Sequence, residues 1–177
     1  TPDKMNSIIE NTDIASVVKT RDRCQFTSDI EDRARLVKSP VFMYAWGSML
    51  LDGICVQQDR DLGLGYIRRA ADDGYAPAMV KVAQFFERGL FLSQNLTLSE
   101  QYMHTALGSK SARLAWADML VRGYGNPSLY EEAFCWLYHS SYQDDYSNMK
   151  KDYLETELKK HLPPNVIARS IAFEPDY

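Results

Sequence analysis

The sequence predicts an all-α protein, an α/α solenoid of about three two-helix repeats. Three glycines, Gly53, Gly89 and Gly123, are 36 and then 34 residues apart. One apolar helical pattern precedes each glycine and a second one follows it. Units of this kind bury their apolar faces only against neighbouring units, and the scaffolds that they form bind other macromolecules. The repeat therefore favours a binding protein over an enzyme.

The pattern before each glycine is one face of a helix. A small residue lies six positions before the glycine, and apolar residues lie seven, four and three positions before it. The small residues are Gly47, Ala83 and Ala117, and the apolar residues are Trp46, Met49, Leu50, Val82, Phe85, Phe86, Trp116, Met119 and Leu120. We expect the small residue to pack against a second helix.

The pattern after each glycine is that second helix. Thirteen, fourteen and seventeen positions after the glycine lie an aromatic, an aliphatic and a small residue. These residues are Tyr66, Ile67 and Ala70, then Tyr102, Met103 and Ala106, and then Trp136, Leu137 and Ser140. Each glycine is predicted to end the first helix, because glycine adopts the left-handed conformation there at little cost.

The first 39 residues are predicted to form an N-terminal extension with one helix. A short helix around residues 4–10 is also possible in this weakly patterned segment. The main helix begins at Thr27 or Ser28, either of which can cap it, and ends at Ser39, because the residue before proline disfavours helix. Its apolar residues recur at steps of three and four, at Ile30, Ala34 and Val37.

Residues 40–142 are predicted to hold the repeats. The expected helices cover about 40–51, 59–73, 78–88, 97–107, 111–122 and 130–141. Gly74 lies 21 residues after its repeat glycine and Gly108 lies 19 after its own. The second repeat has therefore lost two residues at this turn, which explains the change of period.

Residues 143–177 are predicted to form a C-terminal capping helix and a tail. We expect an apolar side formed by Met149, Tyr153, Leu154 and Leu158, and a charged outer side formed by Lys150, Lys151, Glu155, Lys159 and Lys160. A charged outer side suits a cap, because solenoids need polar ends for solubility. Pro163 and Pro164 stop this helix before a short final one.

Composition excludes several classes of protein. A chain of 177 residues needs no second domain, and its net charge of −4 lacks the basic character of a nucleic-acid binder. No apolar run reaches the roughly 18–20 residues of a membrane span. The first ten residues carry no basic-then-apolar signal segment, so we expect either a cytosolic protein or a trimmed form.

No chemistry-bearing motif is present in the sequence. The three histidines, His104, His139 and His161, are far apart and have no partner at metal-ligand spacing. Nucleotide-binding and nucleophile motifs are also missing. We therefore expect no catalytic residue, metal, cofactor or small-molecule substrate.

The three cysteines leave one question open. Cys135 lies among apolar residues of a predicted helix and is expected to be a buried thiol. Cys24 and Cys55 lie at element ends, where a bridge could staple the N-terminal segment to the first repeat. One disulfide plus one thiol fits this odd count at least as well as three thiols.

Partner-binding candidates follow from helix geometry. If the small residue of each first helix packs inward, the residues one, four and five positions later face the concave groove of such scaffolds. The polar ones are Ser48, Asp52, Gln84, Glu87, Arg88, Asp118 and Arg122. The alternative is an ordinary exposed helix surface. Aromatic residues outside the repeat core are further candidates, namely Tyr75, Phe91, Tyr124, Tyr142 and Phe173, although Phe91 and Tyr124 suit repeat junctions better.

The repeat resembles the Sel1-like repeat, an α/α relative of the tetratricopeptide repeat. The resemblance covers about residues 40–141, and its best copy is Gly53 to Gly74, with Asp59, Leu62, Tyr66, Ala70 and Ala71. The second repeat departs from it with Asn95 in place of aspartate and Leu107 in place of the second alanine.

The whole chain is similar to the Sel1-repeat components of sodium-driven polar flagellar motors. The stretches that carry this similarity are Cys24-Gln25, 44–50, 53–59, 62–66, 124–127, 130–133, 136–137 and 162–169. The last stretch lies outside the repeats, so repeat similarity alone does not explain it.

This similarity implies a periplasmic protein of the flagellar basal body whose signal peptide has been removed. It implies pairing with a MotY-like protein in a ring and retention of the PomA/PomB stator. It also implies a disulfide between Cys24 and Cys55. The alternatives are a Sel1-type adaptor of another envelope or signalling complex and, less well supported by the residues, a hydrolase.

Overall fold

Helices supply the regular secondary structure of residues 24–173 and 175, the part of the chain that this computed structural model describes. Nine α-helices occur in that part: α1 Thr27–Asp32, α2 Pro40–Asp52, α3 Arg60–Asp72, α4 Ala76–Arg88, α5 Leu96–Thr105, α6 Lys110–Val121, α7 Tyr130–Tyr138, α8 Asp145–Lys159 and α9 Pro164–Ala172. A π turn, Arg33–Val37, extends α1, and a 3-10 turn, Pro127–Leu129, precedes α7. The predicted all-α class is confirmed.

The chain divides into two units whose boundary lies between Val82 and Ala83, inside α4. The predicted boundaries after residues 39 and 142 come from the repeat pattern and stay predictions. The possible helix around residues 4–10 lies outside the described residues. No helix in the described ranges is both long enough and apolar enough to cross a membrane.

The first unit is built on the close approach of α2 and α3. A Cβ atom added to Gly47 would lie 2.7 Å from the carbonyl oxygen of Gly63, and one added to Gly63 would lie 2.7 Å from that of Gly47. Backbone atoms cannot retreat from such contacts as flexible side chains do, so both positions require glycine. The predicted packing of the small residue Gly47 against the second helix is therefore confirmed, whereas the role of Gly63 was not predicted.

Left-handed glycines end the first helices, as predicted. Gly53 and Gly89 have φ values of +67° and +66°. A glutamine five positions later closes each link: Gln58 Nε2 donates to the carbonyl of Leu51, and Gln94 Nε2 donates to that of Glu87, both at 2.9 Å. Helix-terminal carbonyls that lack an intrahelical partner are thereby satisfied.

The next helix of each repeat begins with a side-chain cap. Asp59 Oδ1 accepts a hydrogen bond from the Leu62 amide, and Asn95 Oδ1 accepts one from the Leu98 amide, each at 3.0 Å. Asparagine and aspartate are nearly equivalent caps. Replacing aspartate by Asn95 therefore leaves the cap geometry of the second repeat unchanged.

The second unit has a core of aromatic and aliphatic side chains. Its most buried members are 0–1% exposed and come from α5 to α8: Met103, Trp116, Met119, Leu120, Phe134, Leu137, Leu154 and Leu158. The Ser99 hydroxyl donates to the Ala83 carbonyl at 2.8 Å and so links α5 to the end of α4. The apolar helical faces predicted from the repeat are buried, apart from Tyr66, Phe86 and Tyr102, which are half-buried.

The first helix differs from its prediction in two respects. Neither Thr27 nor Ser28 caps it, because the N-cap position is Phe26 and the Thr27 hydroxyl donates backwards to the Cys24 carbonyl. Val37 is 70% exposed. The wider π turn changes the angle between successive residues, so a spacing of three and four no longer follows one face.

The outer side of α8 also differs from its prediction. Met149 is 72% exposed and Tyr153 is 58% exposed, whereas Leu154 and Leu158 are fully buried. Nine residues, the separation of Met149 and Leu158, advance an α-helix by two and a half turns, so these two residues lie on opposite sides. Glu155, predicted on the charged outer side, is 8% exposed.

Candidate functional site

Three of the predicted partner-binding residues meet in one charged cluster of the second unit. The guanidinium group of Arg122 donates from Nη1 to Glu87 Oε1 and from Nε to Asp118 Oδ2, the latter at 2.8 Å. Glu87 lies near the end of α4, Asp118 lies on α6 and Arg122 caps the C-terminus of α6. The residues selected by their distance from the small residue of each first helix therefore do lie together.

Lys150 of α8 completes this charged cluster. Its Nζ lies 3.1 Å from Asp118 Oδ1. Sequence reasoning placed Lys150 on the outer side of a cap and did not connect it with Asp118. Only the packing of α8 against α6 brings the two together. The cluster thus contains two carboxylates and two cations.

The cluster is asymmetric in its burial. The Glu87 side chain is 4% exposed, whereas that of Arg122 is 40% exposed. A buried carboxylate needs a paired cation, and removing that cation leaves an uncompensated charge. The hydrogen bond to Glu87, followed by the one to Asp118, raises the pKa of Arg122 against the opposing effect of burial. Glu87 and Asp118 thereby hold the guanidinium group of Arg122 in one position.

One further contact orients the exposed part of the cluster. The Arg122 guanidinium lies 5.4 Å from the centre of the Tyr124 ring. Cation–π contacts of this length stabilise exposed sites by about 0.5–1 kcal/mol. Both carboxylates of the cluster are engaged by cations. The four charged groups of the cluster are therefore paired with one another, and a partner-binding role for them stays a prediction.

A comparison with curated proteins finds a relative of this chain. It is 34% identical, over 151 residues, to the sodium-type polar flagellar protein MotX of Vibrio parahaemolyticus serotype O3:K6. The alignment covers 84% of this chain and 72% of the relative.

The chain belongs to the MotX family. No family model matches the sequence. Among solved structures, a Sel1 repeat protein from Oxalobacter formigenes superposes with a TM-score of 0.54 and 14% sequence identity. The match covers 83% of this chain and 98% of that protein. This likeness shows the fold alone, and it confirms the Sel1-repeat fold for this member of the MotX family.

The other candidate residues of this MotX-family chain lie outside the cluster. Asp52 and Arg88 are exposed and Gln84 is half-buried. Ser48 is only 9% exposed, contrary to its predicted place on an open groove. The physical reason is that α2 is buried on nearly all sides, from residue 45 to residue 51. A binding role for these residues stays a prediction.

The aromatic candidates separate into packed and exposed groups. Phe91 lies edge-on against Phe85, with ring centres 5.1 Å apart, as suits a junction. Tyr142 donates its hydroxyl to the Lys110 carbonyl at 2.9 Å, and burial raises its pKa to about 12. Phe173 is 69% exposed, and Tyr75 lies 5.5 Å from the ring of Tyr44.

The histidines are engaged in local contacts of the second unit. His104 Nε2 lies 3.0 Å from Glu132 Oε1, and His139 Nε2 lies 2.9 Å from the Ser170 carbonyl oxygen. His161 packs near Tyr130, with ring centres 5.2 Å apart. In the described part of the chain, no three histidine, cysteine or acidic residues are grouped so that they could hold a metal ion.

The three cysteines form one disulfide and leave one free thiol. Cys24 and Cys55 form a disulfide with a Cα–Cα distance of 5.5 Å. This is the pair that the resemblance implies. Cys135 is a thiol, but it is half-buried and not fully buried as predicted. It lines a cleft of about 500 Å³ that also touches Glu131 and Arg169, and burial raises its pKa above the ordinary value.

Proposed function

We propose that this chain is a non-catalytic periplasmic scaffold of the sodium-driven flagellar motor. In this proposal it pairs with a MotY-like protein in a ring of the basal body and helps to retain the PomA/PomB stator. The observation that carries the proposal is the 34% identity to MotX across 84% of the chain. The alignment spans 151 residues, so the similarity extends well beyond a single repeat.

The disulfide supports the periplasmic part of the proposal. Disulfides persist in oxidising compartments such as the periplasm and are rare in the cytosol. The bridge ties Cys24, which precedes α1, to Cys55, in the link after α2. A covalent staple at this position is therefore consistent with a protein that works outside the cytoplasm.

The charged cluster supports the scaffold part of the proposal. Charges fixed at the surface of a protein contribute to partner choice and association rate more than to affinity. Arg122 supplies such a charge, held by a buried Glu87. Repeat scaffolds recognise partners through surfaces of this kind, distributed over several helices.

Co-purification from the membrane fraction of the source bacterium tests the proposal. An affinity-tagged chain is expected to bring down the MotY-like protein and, with it, PomA and PomB. Deletion of the MotY-like protein is expected to remove the stator proteins from the purified material. If the two folded proteins do not associate, the ring proposal is wrong. Association with a different envelope complex instead would favour the adaptor alternative.

A pair of arginine variants tests the role of the cluster in the same experiment. Arg122→Gln removes the cation that pairs with Glu87 and is expected to reduce recovery of the partner several-fold. Arg60→Gln is the matched control, because Arg60 is exposed at the start of α3 in the first unit. Equal loss in both variants would assign the effect to net charge and not to the cluster.

A further inference from the structure

Helix α8 exposes an apolar stripe on its outer face. Tyr146 is 75% exposed, Met149 is 72% exposed and Tyr153 is 58% exposed. The three residues are spaced by three and then four positions, so they lie together on one face of the helix. A contiguous exposed apolar face of this kind indicates a surface that another protein covers.

The opposite side of α8 holds this stripe rigidly in place. Leu154 and Leu158 are fully buried, and α8 packs against both α6 and α7. Glu155 is held by Lys151 at 3.4 Å and by Lys159 at 3.9 Å. The stripe is therefore presented on an anchored helix, which lowers the entropic cost of binding a partner.

The charges at the edges of the stripe are mostly acidic. Asp145 and Asp152 are exposed on the same helix, and Asp144 caps its N-terminus. The bond from the Ser147 amide to Asp144, at 2.8 Å, lowers the pKa of this carboxyl, so it stays ionised. A partner that covers the stripe therefore meets negative charge at its rim.

The neighbouring lysines are turned away from the stripe. Lys150 lies four residues after Tyr146 and three before Tyr153, but its ammonium group pairs with Asp118. Lys151 pairs with Glu155, and its side chain is 19% exposed. Both lysines are thus paired with carboxylates of the second unit. The exposed surface around the stripe therefore combines aromatic and thioether groups with carboxylates.

We infer that this α8 stripe is the surface through which the chain holds its ring partner, and that the partner offers an apolar groove rimmed by lysine and arginine. The inference rests on the proposed function. Amphipathic helices bind grooves through side chains spaced in this way. Basic groups at the rim would meet both the aspartates and the tyrosine ring faces. Self-association through the stripe would bring acidic edges together, and the same charges disfavour an anionic lipid surface.

A binding titration with the purified MotY-like protein from the same bacterium tests the inference. The triple variant Tyr146→Ser, Met149→Ser and Tyr153→Ser is expected to weaken binding on the order of 100-fold, because exposed aromatic anchors carry much of the energy of such contacts. The double variant Leu36→Ser and Val37→Ser is the matched control. It removes two apolar side chains that are 77% and 70% exposed in the first unit, and it is expected to bind as wild type does.

A second pair of variants tests the chemistry of the rim. Asp145→Asn with Asp152→Asn is expected to weaken binding about 3- to 10-fold and to reduce its dependence on salt. The control, Asp61→Asn with Asp72→Asn, removes the same charge from exposed positions of α3. It is expected to change neither the affinity nor its dependence on salt. An unchanged salt dependence in the first pair would contradict the basic rim.

The outcomes separate the inference from the proposed function. If wild type does not bind the MotY-like protein, the proposed pairing fails. If wild type binds and the triple variant, with an unchanged circular dichroism spectrum, binds equally well, the stripe is not the docking surface. Sedimentation of the chain alone tests whether a second copy of the chain occupies the stripe. If wild type forms a dimer, the triple variant does not, and both bind the MotY-like protein equally well, the stripe is a dimer interface.

Discussion

The links after Gly53 and after Gly89 have the same backbone geometry but different anchors. Each begins at a left-handed glycine, each has a second left-handed residue two positions later, and each ends at a side-chain cap. That second residue is Cys55 in the first link and Phe91 in the second, with φ values of +62° and +60°. Cys55 forms a disulfide to Cys24, whereas Phe91 packs edge-on against Phe85. The repeat thus specifies the backbone path of each link, and the side chain at this one position, Cys55 or Phe91, determines which residue the link is attached to.

The largest expected difference between the links lies in these anchors. Cys55→Ser removes the disulfide, which closes a segment with a sequence separation of 31 residues. Its loss is expected to lower the free energy of unfolding by on the order of 3 kcal/mol, because the unfolded chain gains conformational freedom. Urea denaturation under non-reducing conditions measures this change. Cys135→Ser is the control and is expected to change stability far less; equal losses would contradict the staple.

The aromatic anchor of the second link is expected to contribute less. Phe91→Ala removes a ring that is 47% exposed and lies 5.1 Å from Phe85. Partial burial and the edge-on pair together stabilise by about 2 kcal/mol. The same denaturation experiment measures it. A loss as large as that of Cys55→Ser would mean that the two links are anchored equally strongly.

The glutamine bonds are expected to stabilise the two links equally. Gln58→Ala and Gln94→Ala each remove one side-chain donor to a helix-terminal carbonyl, in both cases at 2.9 Å. Each loss is expected to cost about 1 kcal/mol. A difference between the two variants of more than about 1 kcal/mol, read from their urea midpoints, would break the equivalence of the links.

Exchanging the caps is expected to have the smallest effect. Asp59→Asn and Asn95→Asp keep an oxygen acceptor in each cap, so the free energy of unfolding should change by only a few tenths of a kcal/mol. Asp59→Ala and Asn95→Ala serve as references and are each expected to cost about 1 kcal/mol. An exchange as costly as the alanine variants would show that the two link geometries differ.

Much of this fold was predictable because its signals are local. Apolar residues at helical spacing and left-handed glycines act within a few residues, and the predicted helices of the repeats begin and end within about three residues of the observed ones. The π turn after α1 was not predictable from spacing, and it moves Val37 to the surface. The opposite sides occupied by Met149 and Leu158 follow from helix geometry alone and could have been derived.

The candidate site was predictable only in part. The offset from the small residue of each first helix selects Glu87, Asp118 and Arg122, which do meet. Lys150 joins them from another helix through tertiary packing, which no local pattern encodes. The same offset misplaces Ser48, because α2 has neighbours on more of its sides than the pattern implies.

Deletion of the gene in the source bacterium tests the central claim most directly. The account predicts cells that assemble polar flagella but do not swim in sodium medium, and that lose PomB from the flagellated pole. The wild-type chain should restore both, and the triple variant of Tyr146, Met149 and Tyr153 should restore neither. Normal swimming and normal PomB at the pole in the deletion strain would contradict the account.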